Sequence, residues 1–289
     1  MKRIVFIGEA MIELSRDGES WRMGYGGDTL NTAIHLARLG HDVAYLTALG
    51  CDPMSFELKE KWAAEGLDTS LVLDHPTRNS GLYSISTDAT GERSFSYWRD
   101  TSAARDMFSL SGIESALGEA AKADLIGYLL ITLAILPDTA RACLLGINAR
   151  LAFDGNYRAR LWPSGAAAAA VRDAAVARSS IGLPTLEDEQ QILGERTAET
   201  VANHWQSLGC EETIVKLGIK GCRLPNGMVI APPQELQPVD TSGAGDAFNA
   251  GYLHARLEGA TIQEAAIEGH KLAGWVIMRS GAIPPRGSL

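Results

Sequence analysis

Val239-Asp240-Thr241-Ser242-Gly243-Ala244-Gly245-Asp246-Ala247-Phe248 is a turn of small residues that opens a helix. Apolar side chains recur at helical spacing beyond it, at Phe248, Tyr252 and Ala255. Gly243, Ala244 and Gly245 leave almost no side chain between their backbone N–H groups and a ligand. The helix start adds its own unpaired N–H groups and the positive end of its dipole, which together suit a phosphate. Asp246, in the first turn of the same helix, would repel a phosphate. Its presence suggests a base aimed at a hydroxyl that attacks that phosphate. The competing reading is a plain helix start, with Ser and Asp caps behind a glycine-rich lead-in.

The 289 residues carry a formal net charge of −9, with 46% hydrophobic and 21% charged residues. This is the balance of a soluble globular protein with a sizeable core. Negative net charge and the absence of basic runs argue against nucleic-acid or anionic-membrane partners. An anionic ligand must therefore be held by a few placed cations and backbone amides. Cys51, Cys143, Cys210 and Cys222 are scattered without a CxxC pair, and the six histidines show no metal-ligand spacing. A reduced, cytoplasmic protein is the expectation. The opening apolar run, Ile4-Val5-Phe6-Ile7, is too short for a signal peptide, and no stretch of roughly 18 apolar residues suggests a transmembrane helix.

Around the turn the chain alternates strands and helices. Strands are expected at residues 3–8, 43–49, 125–131, 151–154, 180–183 and 213–217. Helices are expected after Gly26-Gly27 up to Gly40, and at 53–65, 137–149, 165–177, 186–193, 197–208, 243–257 and 262–278. This rhythm predicts a mostly parallel sheet covered on both faces, with ligands beyond the carboxyl ends of its strands. Two hairpins interrupt it: one at 81–87 and 94–98 around Asp88-Ala89-Thr90-Gly91-Glu92, the other around Pro225-Asn226-Gly227. The first is expected outside the main sheet, as a lid together with residues 11–15. Its Tyr83, Tyr97, Trp98 and Arg99 are of the kind that line a small-molecule site.

Two phosphate-binding schemes are excluded. No GxxxxGK[ST] is present, so this is not a P-loop protein. Phe248 stands where a GxGxxG motif needs its third glycine, and the run lies far from the first strand, which argues against a nicotinamide dehydrogenase. What remains is a pair of glycine turns, each opening a helix: Gly26-Gly27-Asp28-Thr29-Leu30-Asn31 and residues 240–246. The second resembles the DTxGAGD signature of the ribokinase-like (PfkB) carbohydrate kinases. The first is similar to that family's GGxxxN signature, followed by Ala33-Ile34-His35-Leu36-Ala37-Arg38-Leu39-Gly40. The resemblance extends over essentially the whole chain. It implies one ribokinase-like domain over residues 1–289: a three-layer α/β/α sandwich with a small β lid formed by about 9–25 and 80–100. Within the family the chain looks most like the kinases of 2-keto-3-deoxygluconate, through residues 94–99, 153–158 with Leu161-Trp162, 183–189 and the tail Gly281-Ala282-Ile283-Pro284.

The resemblance implies ATP-dependent phosphorylation of that sugar acid to its 6-phosphate, with Mg2+ and with a monovalent cation as a further candidate. Asp246 would be the base, and the amides of Gly243, Ala244 and Gly245 would neutralise the transferring phosphoryl group. Gly26, Gly27 and Asn31 would contact sugar hydroxyls. Arg99 and Arg158 are the candidate cations for the substrate carboxylate, since guanidinium pairs bidentately with it; a surface ion pair is the alternative for each. Tyr83 and Tyr97 reach the sugar or merely pack the hairpin. Lys216, Gly218, Gly221, Thr241, Gly243 and Gly245 fall in the nucleotide region, with His270 and Ala273 flanking the adenine. No equivalent of the P-loop lysine is apparent, which leaves much of the phosphate charge to Mg2+. Pairing of lids between subunits is common in the family, so a homodimer through the lid is the assembly to test.

Two departures stand out. Where the family has NxxE, the spacing here gives Pro184-Thr185-Leu186-Glu187, so only Glu187 is carried over, as a metal contact through water. Leu130 stands where a glycine is expected and would crowd the substrate side. A fructokinase or another sugar kinase of the family is the alternative activity, and a non-catalytic sugar-binding protein the alternative of another class.

Overall fold

Ile4 and Phe6 of the first strand pack to one side, Val5 and Ile7 to the other, and all four are buried. Successive strand side chains point to opposite faces, so a strand apolar on both needs a layer on each side. The computed structural model describes residues 2–87 and 93–286. From the N-terminus come β1 (Arg3–Ile7), β2 (Met11–Asp17), β3 (Ser20–Gly26), α1 (Asp28–Arg38), β4 (Asp42–Gly50), α2 (Pro53–Ala64), β5 (Val72–His75), β6 (Gly81–Thr87), β7 (Arg93–Trp98) and α3 (Ile113–Ala121). Next are β8 (Leu125–Leu129), α4 (Leu130–Ile135), α5 (Asp138–Leu145), β9 (Leu151–Asp154), α6 (Gly165–Val176), β10 (Ile181–Gly182), α7 (Leu186–Leu193) and α8 (Ala198–Ser207). The chain closes with β11 (Glu212–Thr213), β12 (Val215–Lys216), β13 (Cys222–Arg223), β14 (Val229–Ile230), α9 (Ala244–Leu257) and α10 (Ile262–Ile277).

The main sheet has the order β11-β10-β9-β8-β1-β4-β5, every pair parallel. One face is covered by α1, α2, α9 and α10, which bury Leu30, Ile34, Trp62, Phe248, Tyr252 and Val276 against Ile4 and Phe6. The other is covered from α3 to α8, with Ala116, Leu133, Leu144, Val176 and Trp205 against Val5 and Ile7. This is the three-layer α/β/α arrangement. A four-stranded sheet, β3-β2-β6-β7, stands apart from it. Parallel pairing of β2 with β6, from Met11 opposite Gly81 to Ser15 opposite Ile85, joins two excursions from the main sheet. The hairpin loop, residues 88–92, lies outside the described residues.

Several boundaries differ from expectation. The strand expected over 125–131 stops at Leu129, and Leu130 begins a helix with its side chain in the core. Leu130 therefore does not crowd the substrate side. The strand expected over 213–217 divides: β11 ends the main sheet, and β12 joins the three-stranded sheet β12-β13-β14. The helix expected to reach residue 149 ends at Leu145, where the Gly146 N–H bonds back to the Ala142 carbonyl. β3, β5 and α3 were not anticipated; Gly24 and Gly26 conceal the alternation of β3.

On the second face, Arg172 of α6 is fully buried and donates to Glu189 of α7 (2.6 Å) and to Asp173 (2.7 Å). Such a pair tolerates removal of both partners far better than removal of one. Arg172→Ala is expected to lower the unfolding free energy by roughly 3–5 kcal/mol, with Arg172→Met/Glu189→Leu recovering most of it. Urea titration reads the difference, and a single-variant loss under about 1 kcal/mol would show that the pair does not hold α6 to α7.

Candidate active site

The turn at 240–246 is shaped by its own carboxylate. Asp240 is buried; its Oδ1 accepts from the Ser242 N–H (2.9 Å) and its Oδ2 from the Gly281 N–H (2.6 Å). Gly243 then adopts φ 70°, a left-handed conformation that favours glycine, and a Cβ there would lie 2.6 Å from Ala282 Cβ. The helix that follows has no side-chain cap. Elsewhere α2, α6, α8 and α10 are capped by Asp52, Ser164, Thr197 and Thr261. Gly245, in the first turn of α9, is exposed. The start of α9 is thus an open cradle of backbone donors.

Asp246 follows on the first turn, 8% exposed, and its Oδ2 accepts from Asn31 Nδ2 of α1 at 2.8 Å. The structure therefore brings the two glycine turns together. One helical turn on, Asn249 donates to Asp154 Oδ2 (2.6 Å), and Lys216 Nζ donates to the same oxygen (2.5 Å) and to Asn249 Oδ1 (3.2 Å). Asp154 ends β9 and Lys216 ends β12, so this cluster stands at the carboxyl ends of strands. A Cβ on Gly245 would lie 3.7 Å from Lys216 Nζ. An ammonium group therefore stands beside the cradle, where the sequence offered no lysine equivalent. Asp154 and Asn249 were missed; the signals were a lone carboxylate ending an apolar strand and an amide three residues beyond Asp246.

The second turn admits no side chains. A Cβ on Gly27 would stand 2.5 Å from the Glu9 carbonyl, and one on Gly26 would stand 2.3 Å from Tyr83 Oη. Tyr83 donates to Glu13 and stacks on its cross-strand partner Tyr97, ring centroids 5.9 Å apart. Arg99, expected open to a substrate carboxylate, is 5% exposed, and both its Nε and Nη2 donate to Glu9 Oε2. The other oxygen, Glu9 Oε1, is buried without a hydrogen-bond partner. Glu9 and Arg99 also line a small pocket, together with Thr29, Ile131, Thr132 and Ile135. Glu9 was missed because a carboxylate just past a strand carries no spacing signal. Arg158 is open to solvent: its Nη1 donates to the Tyr157 carbonyl (2.9 Å) and lies 4.0 Å from Asp188 Oδ1.

Among the nucleotide-region residues, Gly221 and His270 meet at Ile230. A Cβ on Gly221 (φ 97°) would lie 2.0 Å from the Ile230 carbonyl oxygen, and His270 Nε2 donates to that oxygen at 3.0 Å. Burial lowers the His270 pKa, and its ring stands 4.9 Å from that of Phe248. Gly218 opens the short helical turn before Gly221, Ala273 is half-buried, and Thr241 is exposed at the turn. Glu187 is exposed. Its neighbour Asp188 is the partly buried carboxylate there. Burial, reinforced by the charge of Asp154, pushes its pKa up to about 6, against the pull of Arg158 and Lys216.

A parallel sheet whose strand ends carry an uncapped helix start, a buried carboxylate and a lysine offers the groups that phosphoryl transfer to a small hydroxyl compound requires. Residues 1–287 match the sequence profile of the pfkB family carbohydrate kinases, and the chain belongs to that family. It is 38% identical to the 2-dehydro-3-deoxygluconokinase of Escherichia coli, covering 100% of this chain and 99% of that protein. The enzyme of the same name from Dickeya dadantii is 39% identical, covering 98% and 97%. The solved structure of a Polaromonas PfkB protein, 27% identical, superposes with a TM-score of 0.82 over 95% of each chain.

The tail beneath the cradle is pinned by His35 of α1. His35 is 2% exposed, and its Nε2 bonds the Ala282 carbonyl at 3.0 Å. Burial pushes its pKa down to about 4, against the pull of that carbonyl. The unfolded imidazole, near 6.5, takes up a proton that the native one refuses. Stability from this group is therefore complete above pH 6.5 and falls as pH drops toward 4, by roughly 3 kcal/mol in all. Urea midpoints followed from pH 7 to pH 4 are expected to fall more steeply in the parent than in His35→Gln; parallel curves would reject this assignment.

Proposed function

We propose that this chain transfers the γ-phosphoryl group of ATP to the 6-hydroxyl of 2-keto-3-deoxygluconate, the 2-dehydro-3-deoxygluconate of its relatives' names. The observation that carries the reading is Asp246, buried at the open start of α9 and held by Asn31. Full-length identity of 38–39% to kinases of that sugar acid supports the choice of acceptor. Asp246 takes the hydroxyl proton as the sugar oxygen attacks. The phosphoryl group passes to that oxygen and ADP leaves. Backbone N–H groups of Gly243, Ala244 and Gly245 receive the transferring group in the cradle, and their fixed direction costs no reorganisation as charge develops. Lys216 stands beside them, oriented by Asp154 and Asn249. Bound ATP with Mg2+ on its phosphates supplies the phosphoryl group and balances its charge. No group of three or more His, Cys, Asp or Glu side chains suited to a metal is present among the described residues. Phosphate oxygens and water would therefore hold Mg2+, with Asp188 and Glu187 reaching it through water.

On the sugar side we assign Gly26, Gly27, Asn31, Tyr83, Tyr97 and Arg158, with Glu9 Oε1 as a further acceptor for a sugar hydroxyl. Arg99 acts through Glu9, holding that carboxylate in place. The four-stranded sheet serves as the lid over this site within a single domain. No helix among the described residues is long and apolar enough to cross a membrane, and the four cysteines are free. A cytoplasmic setting fits these thiols. The edge strand β7 exposes Phe95 (45%) and Trp98 (61%), and we assign it to contact with a second copy of the chain. Sedimentation is expected to show a dimer; a monomer at all concentrations rejects that assignment.

An ADP-release assay with 2-keto-3-deoxygluconate, gluconate, fructose and ribose tests the acceptor. The keto-deoxy acid is expected to react best, and faster turnover of fructose would replace it. Asp246→Asn is expected to lower kcat by about a hundredfold or more with the unfolding midpoint little changed. Unaltered turnover would remove Asp246 from its role as base.

A further inference from the structure

One wall of the site can be followed contact by contact from the base. Asp246 is bonded to Asn31 at 2.8 Å, and Asn31 Oδ1 accepts from the Gly27 N–H at 3.3 Å. Gly26, next in the chain, lies against the Tyr83 hydroxyl, and the Tyr83 ring stacks on Tyr97. Over Tyr97 stands Arg160, its guanidinium carbon 3.7 Å from the ring centroid. The wall begins in a carboxylate and ends in a cation. A ligand lying along it would place a reacting hydroxyl at one end and a negative charge at the other.

Two of the other cations nearby are engaged, and Arg158 sits at the outer limit of an ion pair. Arg99 gives two N–H donors to buried Glu9, Lys216 is paired with Asp154, and Arg158 lies 4.0 Å from Asp188. Arg160 has no carboxylate within ion-pair range among the described residues. It belongs to the helical turn Ala159–Leu161, shortly after β9, and so rises from the main sheet to meet the lid. An aromatic face holds a planar guanidinium flat and leaves its edge donors pointing outward, the arrangement that a carboxylate takes up bidentately.

We propose that Arg160, seated on Tyr97, binds the carboxylate of the sugar acid and sets the preference for an acidic acceptor. This rests on the sugar-acid reading above. The test compares 2-keto-3-deoxygluconate with its C1 carboxamide, which differs only in charge, in an ADP-release assay on the full chain. Arg160→Gln is expected to lower the acid-to-amide ratio of kcat/KM by about tenfold or more, the fall residing in KM for the acid. Tyr97→Leu removes the seat without removing charge and is expected to lower the same ratio. A parent-like ratio in Arg160→Gln overturns the proposal, whether both acceptors keep their rates or lose them equally. A selective loss in Arg158→Gln with none in Arg160→Gln overturns it as well. A parent that phosphorylates the amide but not the acid rejects the sugar-acid reading itself, a result distinct from either variant's.

Discussion

The hydrogen bond from the Asn31 amide to Asp246 spans 215 positions in the chain and joins the starts of α1 and α9. Both helices lie on the same face of the sheet, and both begin in glycines that pack against other chain segments without room for a Cβ. The carboxylate is thus oriented by a neutral donor, which fixes its direction without neutralising it. An arginine in place of Asn31 would hold Asp246 more tightly and make it a poorer proton acceptor.

A protein of net charge −9 has few cations to spare for an anionic ligand, and it uses them in different ways. Arg172 and Arg99 are buried against carboxylates and serve the fold and the site wall. Lys216 is half-committed, shared between Asp154 and the open start of α9. Arg160 rests on an aromatic ring, which holds a guanidinium in place without cancelling its charge. The seat matters as much as the cation, since a mobile surface arginine loses side-chain freedom on gripping a ligand.

Local features were legible in the sequence. The parallel sheet followed from apolar strands between helices, and Asp246 announced itself as a carboxylate in a first turn where only anion-binding groups were otherwise present. Non-local pairings were not legible. Nothing in the spacing tells that Glu9 meets Arg99 across 90 positions, or that Asp154 meets Lys216 across 62. Arg99 and Arg160 are indistinguishable as letters, and their surroundings make one a structural cation and the other an open one. The largely apolar runs at 125–131 and 213–217 misled, because periodicity cannot tell where a buried strand hands over to a helix or to a second sheet.

Gly281 and Ala282 lie under the turn at 240–246: one donates to Asp240, and the other packs on Gly243 and accepts from His35. The cradle is therefore finished by residues about forty positions further along the chain. The strands of the main sheet all precede residue 282, but the turn cannot take its final shape until residue 282 has emerged from the ribosome. A chain cut before residue 281 keeps the partners of the Asn31–Asp246 bond and loses the supports that shape residues 240–246.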